Sequence, residues 1–158
     1  MLETKVLVRQ KIRCIFLMFI CFVSLSGCVT VNMMSDYDEA TDKAVTAVQR
    51  KFETFFVELE SQIGTDAATY ENHTSFYKEI EVDISAIQLR VDALPNNRIT
   101  SKQVKILGEN IDLLKEFHED GIVAVEAIEP VRTSFNTALS SILRLELAKK
   151  KGTLKNEH

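Results

Sequence analysis

Three histidines are the first candidates for metal binding or acid–base chemistry in this chain: His73, His118 and His158. His158 is the last residue, and chain ends are usually poorly ordered. His73 lies about 24 residues before a Pro-Asn-Asn turn near residue 97, and His118 lies about 21 residues after it. In an antiparallel helical pair those spacings place two side chains at similar heights.

A carboxylate could complete a metal site between these histidines. Glu126 comes alongside if the chain turns at Gly121. Two imidazoles and one carboxylate suit Zn²⁺ or a similar ion, so one interpretation of the pattern is a metal- or small-ligand-binding bundle that uses His73, His118 and Glu126. The alternative is that both rings are hydrogen-bonded parts of the core.

Other catalytic patterns are missing from the sequence. There is no Cys-x-x-Cys-His for haem, no Gly-x-Ser-x-Gly nucleophile motif and no glycine-rich phosphate loop. Apolar residues that recur every three or four positions form stripes along the predicted helices. Acidic residues fall on the opposite sides, which is typical of solvated helix faces; they include Glu58, Glu60, Glu79, Glu81 and Asp83. We therefore expect neither catalysis nor a cofactor.

Aromatic residues concentrate between residues 52 and 77. Core packing is the simplest explanation, because large rings dominate the free energy of burial. Phe56 and Phe76 lie beside the strict stripes, so an exposed, partner-binding patch is the alternative. The group comprises Phe52, Phe55, Phe56, Tyr70, Phe76 and Tyr77.

Charge is distributed unevenly along the 158 residues. The first 27 carry four basic residues and one acidic residue, whereas the remaining 131 carry 15 basic and 22 acidic residues, a net charge of −7. A nucleic-acid-binding domain needs a basic surface, so this acidic body argues against that partner. Its length suits a single domain.

The N-terminal segment has the pattern of an export signal. A basic lead, residues 1–13, precedes twelve uncharged and mostly apolar residues, 14–25. An uncleaved membrane-spanning helix is the alternative, because Cys14 to Val31 gives 18 residues, at the lower limit for a span. Ser24, Ser26 and Gly27 dilute its second half, which favours the export signal.

The signal ends in Leu25-Ser26-Gly27-Cys28, which resembles the lipobox of bacterial lipoproteins. The resemblance implies cleavage before Cys28, a diacylglycerol on its sulfur and an acyl group on its new amine, so the lipid bilayer becomes a partner. Val29, rather than Asp, at the next position favours the outer membrane, facing the periplasm. The remainder is similar to small uncharacterised helical lipoproteins, which suggests a non-catalytic accessory module that binds another envelope protein.

The body is predicted to be all-α, an antiparallel up-down-up-down four-helix bundle behind the cleaved signal peptide. Apolar residues recur at 3-4 spacing in each helix. The four stripes are Val45, Val48, Phe52, Phe55 and Leu59; Tyr70, His73, Tyr77, Ile80, Ile84, Ile87, Val91 and Leu94; Val104, Leu107, Ile111 and Leu114; and Ile128, Val131, Phe135, Ala138, Leu139, Ile142 and Leu145.

The predicted boundaries are a signal peptide at 1–27, a lipidated N-terminus and tether at 28–35, a bundle at 36–151 and a disordered tail at 152–158. Ser35 or Asp36 is expected to cap the first helix, and the lysines at 149–151 to end the last one at Gly152. These lysines could also contact lipid phosphates. The third helix ends either at Gly121 or, in a rival interpretation, near Pro130.

Overall fold

The computed structural model describes residues 34–122 and 124–156, with side chains described as far as residue 152. The predicted signal peptide, the predicted lipidation site Cys28 and Val29 lie outside this part of the chain. Within it there are four α-helices and no strand, which confirms the all-α class. The helices are α1 (Glu39–Gln62), α2 (Tyr70–Ala93), α3 (Arg98–Glu119) and α4 (Ile128–Asn156).

The first helix begins later than predicted. Asp38, rather than Ser35 or Asp36, is its N-cap, and its carboxylate accepts a hydrogen bond from the Thr41 backbone N–H at 3.1 Å. Asp38 satisfies an amide that otherwise lacks a partner at a helix start. The helix ends at Gln62, before Gly64, which has a φ of +85°.

Two short connections set where α2 and α3 begin. A 3-10 turn, Asp66–Ala68, precedes α2, which starts at Tyr70. The turn between α2 and α3 contains Pro95 and an Asn96 with positive φ. Helix α3 then starts at Arg98, with Asn97 as its N-cap residue.

The connection between α3 and α4 shows which of the two predicted ends of α3, Gly121 or near Pro130, is correct. Helix α3 ends at Glu119, and Gly121 has a φ of +95°, a conformation that L side chains rarely adopt. Ile122 is then buried against the core. The continuation of α3 to Ile128 is therefore wrong, and Pro130 lies in the first turn of α4, where its missing N–H is tolerated.

The C-terminal helix is longer than predicted. It continues through Gly152 to Asn156, so the expected helix end at Gly152 is wrong, and residues 152–156 are helical. A glycine costs about 1 kcal/mol inside a helix, which neighbours with good helix propensity can offset. A glycine ends a helix only where the chain actually turns.

The core lies along the predicted stripes. Helix α1 packs against α2 and α4, and α3 packs against the same two helices. Ile63, Tyr70, Val131 and Ala138 are only partly buried. In the described part of the chain, no helix combines the length and apolarity needed to cross a bilayer. The principal core residues are Val45, Val48, Phe52, Phe55, Phe56, Leu59, Tyr77, Ile80, Ile84, Ile87, Val91, Val104, Leu107, Ile111, Leu114, Ile128, Phe135, Leu139 and Ile142.

Candidate functional site

The two candidate histidines lie together. His73 on α2 and His118 at the end of α3 are both buried, and their ring centroids are 5.4 Å apart. The counting of residues from the turn near residue 97 therefore located them correctly. Both extend their helices' apolar stripes to the end of the bundle formed by the 62–70 and 119–128 connections.

His118 is held through both ring nitrogens. Its Nε2–H donates to the Ala68 carbonyl at 2.8 Å, and its Nδ1 accepts from the Tyr77 hydroxyl, also at 2.8 Å. Because a carbonyl can only accept, this network selects the neutral Nε2–H tautomer. Burial lowers the pKa of His118 and raises the pKa of Tyr77, so both groups stay neutral near pH 7.

His73 is tied to the α1–α2 connection and borders open space. Its Nε2–H lies 2.9 Å from the Gln62 Oε1 and 3.1 Å from the Ala67 carbonyl. A groove of about 660 Å³ passes beside the ring, between α1 and α2. Its lining includes Arg50, Lys51, Glu58, Asn72, Phe76 and Glu79.

Glu126 occupies an exposed position on the 3-10 turn Val125–Ala127. Among the described residues, no group of three or more His, Cys, Asp or Glu side chains is arranged to hold a metal ion. A metal at His118 would also displace a hydrogen bond from one of its nitrogens. The geometry thus shows the histidine pair and leaves the metal site a prediction.

The aromatic group packs around this pair as part of the core. Phe55 stacks on Phe76 with ring centroids 4.0 Å apart, and Phe52 stacks on Phe135 at 4.3 Å. Phe56, which the sequence suggested could be exposed, is buried. Phe76 is only partly buried, so it alone of the two off-stripe rings reaches the groove.

A buried ion pair lies at the opposite end, where sequence reasoning did not place one. The carboxylate of Glu146 is fully buried and contacts the ammonium of Lys149, which is 4% exposed. Lys149 also donates to the Asn97 Oδ1 at 2.6 Å and to the Thr100 hydroxyl at 3.0 Å. The cluster joins α4 to the α2–α3 turn and to α3.

Residues 35–38, which precede α1, cover this cluster. The Ser35 hydroxyl donates to the Asn97 Oδ1 at 3.0 Å, and the Asp38 backbone N–H donates to the Glu146 Oε2 at 3.2 Å. Arg90 grips both oxygens of Asp38, and this contact holds the pKa of that carboxyl well below its usual range. Ser35 therefore belongs to the folded body, not to the tether predicted at 28–35.

The spacing of the buried residues along α4 could have predicted the burial of Glu146 and Lys149. Continuing the α4 stripe from Leu139 and Ile142 at 4-3 spacing reaches Glu146 and Lys149, whereas the predicted Leu145 is only partly buried. Residue type hid the signal, because acidic residues and lysine are rarely fully buried unless paired. Lys149 therefore neither ends the helix nor reaches the surface, where the sequence suggested that it could contact lipid phosphates.

Four of the five carboxylates predicted on solvated helix faces have defined partners, namely Glu60, Glu79, Glu81 and Asp83. Glu60 accepts from Arg132 at 3.0 Å, and Arg132 also contacts Glu53, which clasps α1 to α4. A hydrogen bond from Asn136, followed by those from Arg132, lowers the pKa of Glu53. The pair is partly exposed, so its contribution to stability is modest.

Comparison of the whole chain with protein-family models, with curated proteins and with solved structures finds no match.

Proposed function

We propose that this chain is the precursor of a bacterial lipoprotein, anchored to the cell envelope through lipids on Cys28. The observation that carries the proposal is Leu25-Ser26-Gly27-Cys28 directly after a basic lead and an apolar run. Acyl chains on Cys28 provide a durable anchor, because each buried CH₂ contributes about 0.8 kcal/mol and more than one chain is attached. Val29 favours the outer membrane, facing the periplasm.

The mature body is an antiparallel, up-down-up-down bundle in this proposal. A hydrogen bond between Gln88 and Ser101 joins the end of α2 to the start of α3. Other contacts join the start of α1 to the end of α4, as between Asp38 and Glu146, and the end of α2 to the start of α1, as between Arg90 and Asp38. Each is the pairing expected of antiparallel neighbours.

The body acts as a non-catalytic module that binds another protein of the envelope. A groove of about 270 Å³ between α3 and α4 supports this role, because Leu113 and Phe117 line it and remain exposed. Pro130 and Val131 form its opposite side. Exposed apolar side chains that share a groove fit an apolar partner segment better than scattered ones do.

Labelling with a fatty-acid analogue tests the anchor. Wild-type protein should incorporate the label and partition into detergent, whereas Cys28→Ser should accumulate as unlabelled, uncleaved precursor. Cys21→Ser is the matched control, because Cys21 lies in the apolar run and should leave labelling unchanged. Incorporation that survives Cys28→Ser, or that is absent from wild type, would refute the lipobox assignment.

Photocrosslinking in cells tests the interaction module. A crosslinking residue at position 113 should give one discrete adduct with an envelope protein, and Phe117→Ser should abolish it. The same residue at position 89 is the control, because Leu89 is also exposed but lies in a different groove, between α2 and α3. Equal adducts at the two positions would refute a specific interface at α3 and α4.

Metal or small-ligand binding is the second candidate function, and the 5.4 Å separation of the His73 and His118 rings favours it. Untagged protein, exposed to Zn²⁺ and then freed of loose metal, should retain stoichiometric zinc if this candidate is correct. His73→Ala should remove that zinc, and Asn72→Ala, one position away on an exposed face, should not. Substoichiometric zinc that His73→Ala does not change eliminates the candidate.

A further inference from the structure

The two ends of the bundle carry opposite charge. The tether end, defined as residues 34–43, 90–102 and 144–152, has eight basic and six acidic residues, a net charge of +2. The far end, defined as residues 58–72 and 115–129, has nine acidic residues and one basic residue, a net charge of −8 with neutral histidines. The tether end is therefore the basic end of a protein whose body is acidic.

Three of the six acidic residues of the tether end form ion pairs within the protein. Asp38 is bound by Arg90, Glu39 pairs with Lys43 at 2.7 Å, and Glu146 contacts Lys149. Outside these three pairs the tether end has three acidic and five basic residues, so its net charge of +2 is carried by residues outside the pairs. The acidic residues are Asp36, Asp42 and Asp92, and the basic ones are Arg98, Lys102, Arg144, Lys150 and Lys151.

Four cations and an apolar residue project from the same end. Arg98 follows the buried Asn97, and Lys102 lies one helical turn further along α3. Lys150 and Lys151 follow the buried Lys149, and the Lys150 ammonium lies 5.0 Å from the centroid of the Tyr37 ring. Ile99, between these cations, is 57% exposed.

We propose that this basic face, Arg98, Ile99, Lys102, Lys150 and Lys151, binds the anionic headgroups of the bilayer in which the protein is anchored, with Ile99 inserted among them. The proposal rests on the proposed anchor at Cys28. Ser35, which bonds to Asn97 beside Arg98, follows Cys28 by seven positions. That stretch spans at most about 24 Å, so the anchor keeps the face close to headgroups.

The far end does not oppose this orientation. A 24-residue helix such as α1 is about 36 Å long, and the Debye length at physiological salt is about 8 Å. With the basic face on the bilayer, the acidic far end lies several Debye lengths away from the anionic surface. The reverse orientation would bring the net charge of −8 against that surface.

Tryptophan fluorescence tests the proposal, because the chain contains no Trp. Ile99→Trp is introduced into the full-length precursor, and the lipidated protein is purified from membranes and reconstituted into vesicles. Vesicles of phosphatidylcholine are compared with vesicles that also contain phosphatidylglycerol brominated on its acyl chains. Val57→Trp is the matched control, because Val57 is 56% exposed on α1, away from the basic face.

The expected result for Ile99→Trp is a blue shift and bromine quenching of the indole emission in anionic vesicles, lost at high salt and absent for Val57→Trp. Adding Arg98→Gln with Lys102→Gln should remove both signals, whereas adding Arg50→Gln with Lys78→Gln, at exposed positions midway along α1 and α2, should keep them. Anchored Ile99→Trp protein whose emission is identical in anionic and neutral vesicles overturns the proposal and leaves the anchor intact. Protein that fails to incorporate fatty acid and stays off both vesicles overturns both.

Discussion

At the scale of single residues, the buried pair of Lys149 and Glu146 should contribute strongly to stability. Lys149→Met keeps the apolar volume but leaves the fully buried Glu146 carboxylate without its counter-ion. Removing one partner of a buried ion pair typically costs about 3–5 kcal/mol. We therefore expect the free energy of unfolding, measured in urea, to fall by about that amount.

The adjacent Lys150 provides the control for this prediction. Lys150→Met removes an equal charge from an exposed position, so it should change stability by less than about 0.5 kcal/mol. The double variant Glu146→Leu with Lys149→Met should recover most of the loss, because replacing both members of a buried pair is often nearly neutral. Equal losses for Lys149→Met and Lys150→Met would show that the pair is solvated.

His118 should make stability depend on pH. Burial lowers the pKa of His118 in the folded protein, whereas in the unfolded chain its pKa is about 6.5. Below about pH 6.5 the unfolded chain therefore binds a proton that the folded protein does not, and the free energy of unfolding falls as the pH falls. Urea unfolding between pH 7.5 and 5 should show this decline.

The variant His118→Gln should have a flatter pH profile over the same range, whatever its stability at pH 7.5. Tyr77→Phe removes the hydroxyl that bonds to Nδ1 but keeps the imidazole buried, so it should retain a pH-dependent decline. If His118→Gln and wild type lose stability in parallel, another group is responsible for the pH dependence.

At the scale of helices, replacing each of two glycines by alanine should have opposite effects on stability. Gly108 lies within α3, and a Cβ there would contact the Ile84 Cγ2 at an ordinary 3.7 Å, so Gly108→Ala should stabilise by up to about 1 kcal/mol. Gly121 has a φ of +95°, so Gly121→Ala should destabilise by about 1–2 kcal/mol. Thermal unfolding should shift upward for the first and downward for the second; shifts of the same sign would contradict the assigned end of α3.

Helix number and core register could be predicted because 3-4 spacing of apolar residues is a local signal, which extends over 11 residues in α3 and up to 25 in α2. Phe52, Ile84 and Leu107 were placed correctly in this way. The ends were harder, because Asp38 caps α1 through a choice among several acidic and hydroxyl residues. The continuation of α4 through Gly152 depends on whether the chain turns, which residue type alone does not decide.

For the same reason, the sequence predicted one part of the candidate site and not the rest. The proximity of His73 and His118 follows from counting residues on two helices that share a turn. The Tyr77 and Ala68 contacts that hold His118 depend on how the 62–70 connection folds over the helix ends, which periodicity does not encode. The burial of Glu146 depends likewise on partners from other segments of the chain.

At the scale of the whole molecule, the residues before α1 fasten the tether end of the bundle. Ser35 bonds to Asn97 in the α2–α3 turn. Asp38 bonds to α2 through Arg90 and to α4 through Glu146. The point at which the proposed lipidated N-terminus joins the body is thus linked to three other segments, so a force on the proposed anchor would act on the bundle as a whole.

Truncation tests this fastening. A chain that starts at Met34 keeps every one of these contacts and should unfold cooperatively. A chain that starts at Glu39 loses the N-cap, worth about 1 kcal/mol, and the hydrogen bonds that reach Asn97 and Glu146, each worth about 1 kcal/mol. Its free energy of unfolding should therefore be lower by at least about 2 kcal/mol.

Because Arg90 also loses its carboxylate partner, Asp38→Asn in the longer chain should reproduce part of the loss. If the two chains unfold at the same urea concentration, residues 34–38 do not fasten the bundle, and the tether effectively extends to the start of α1.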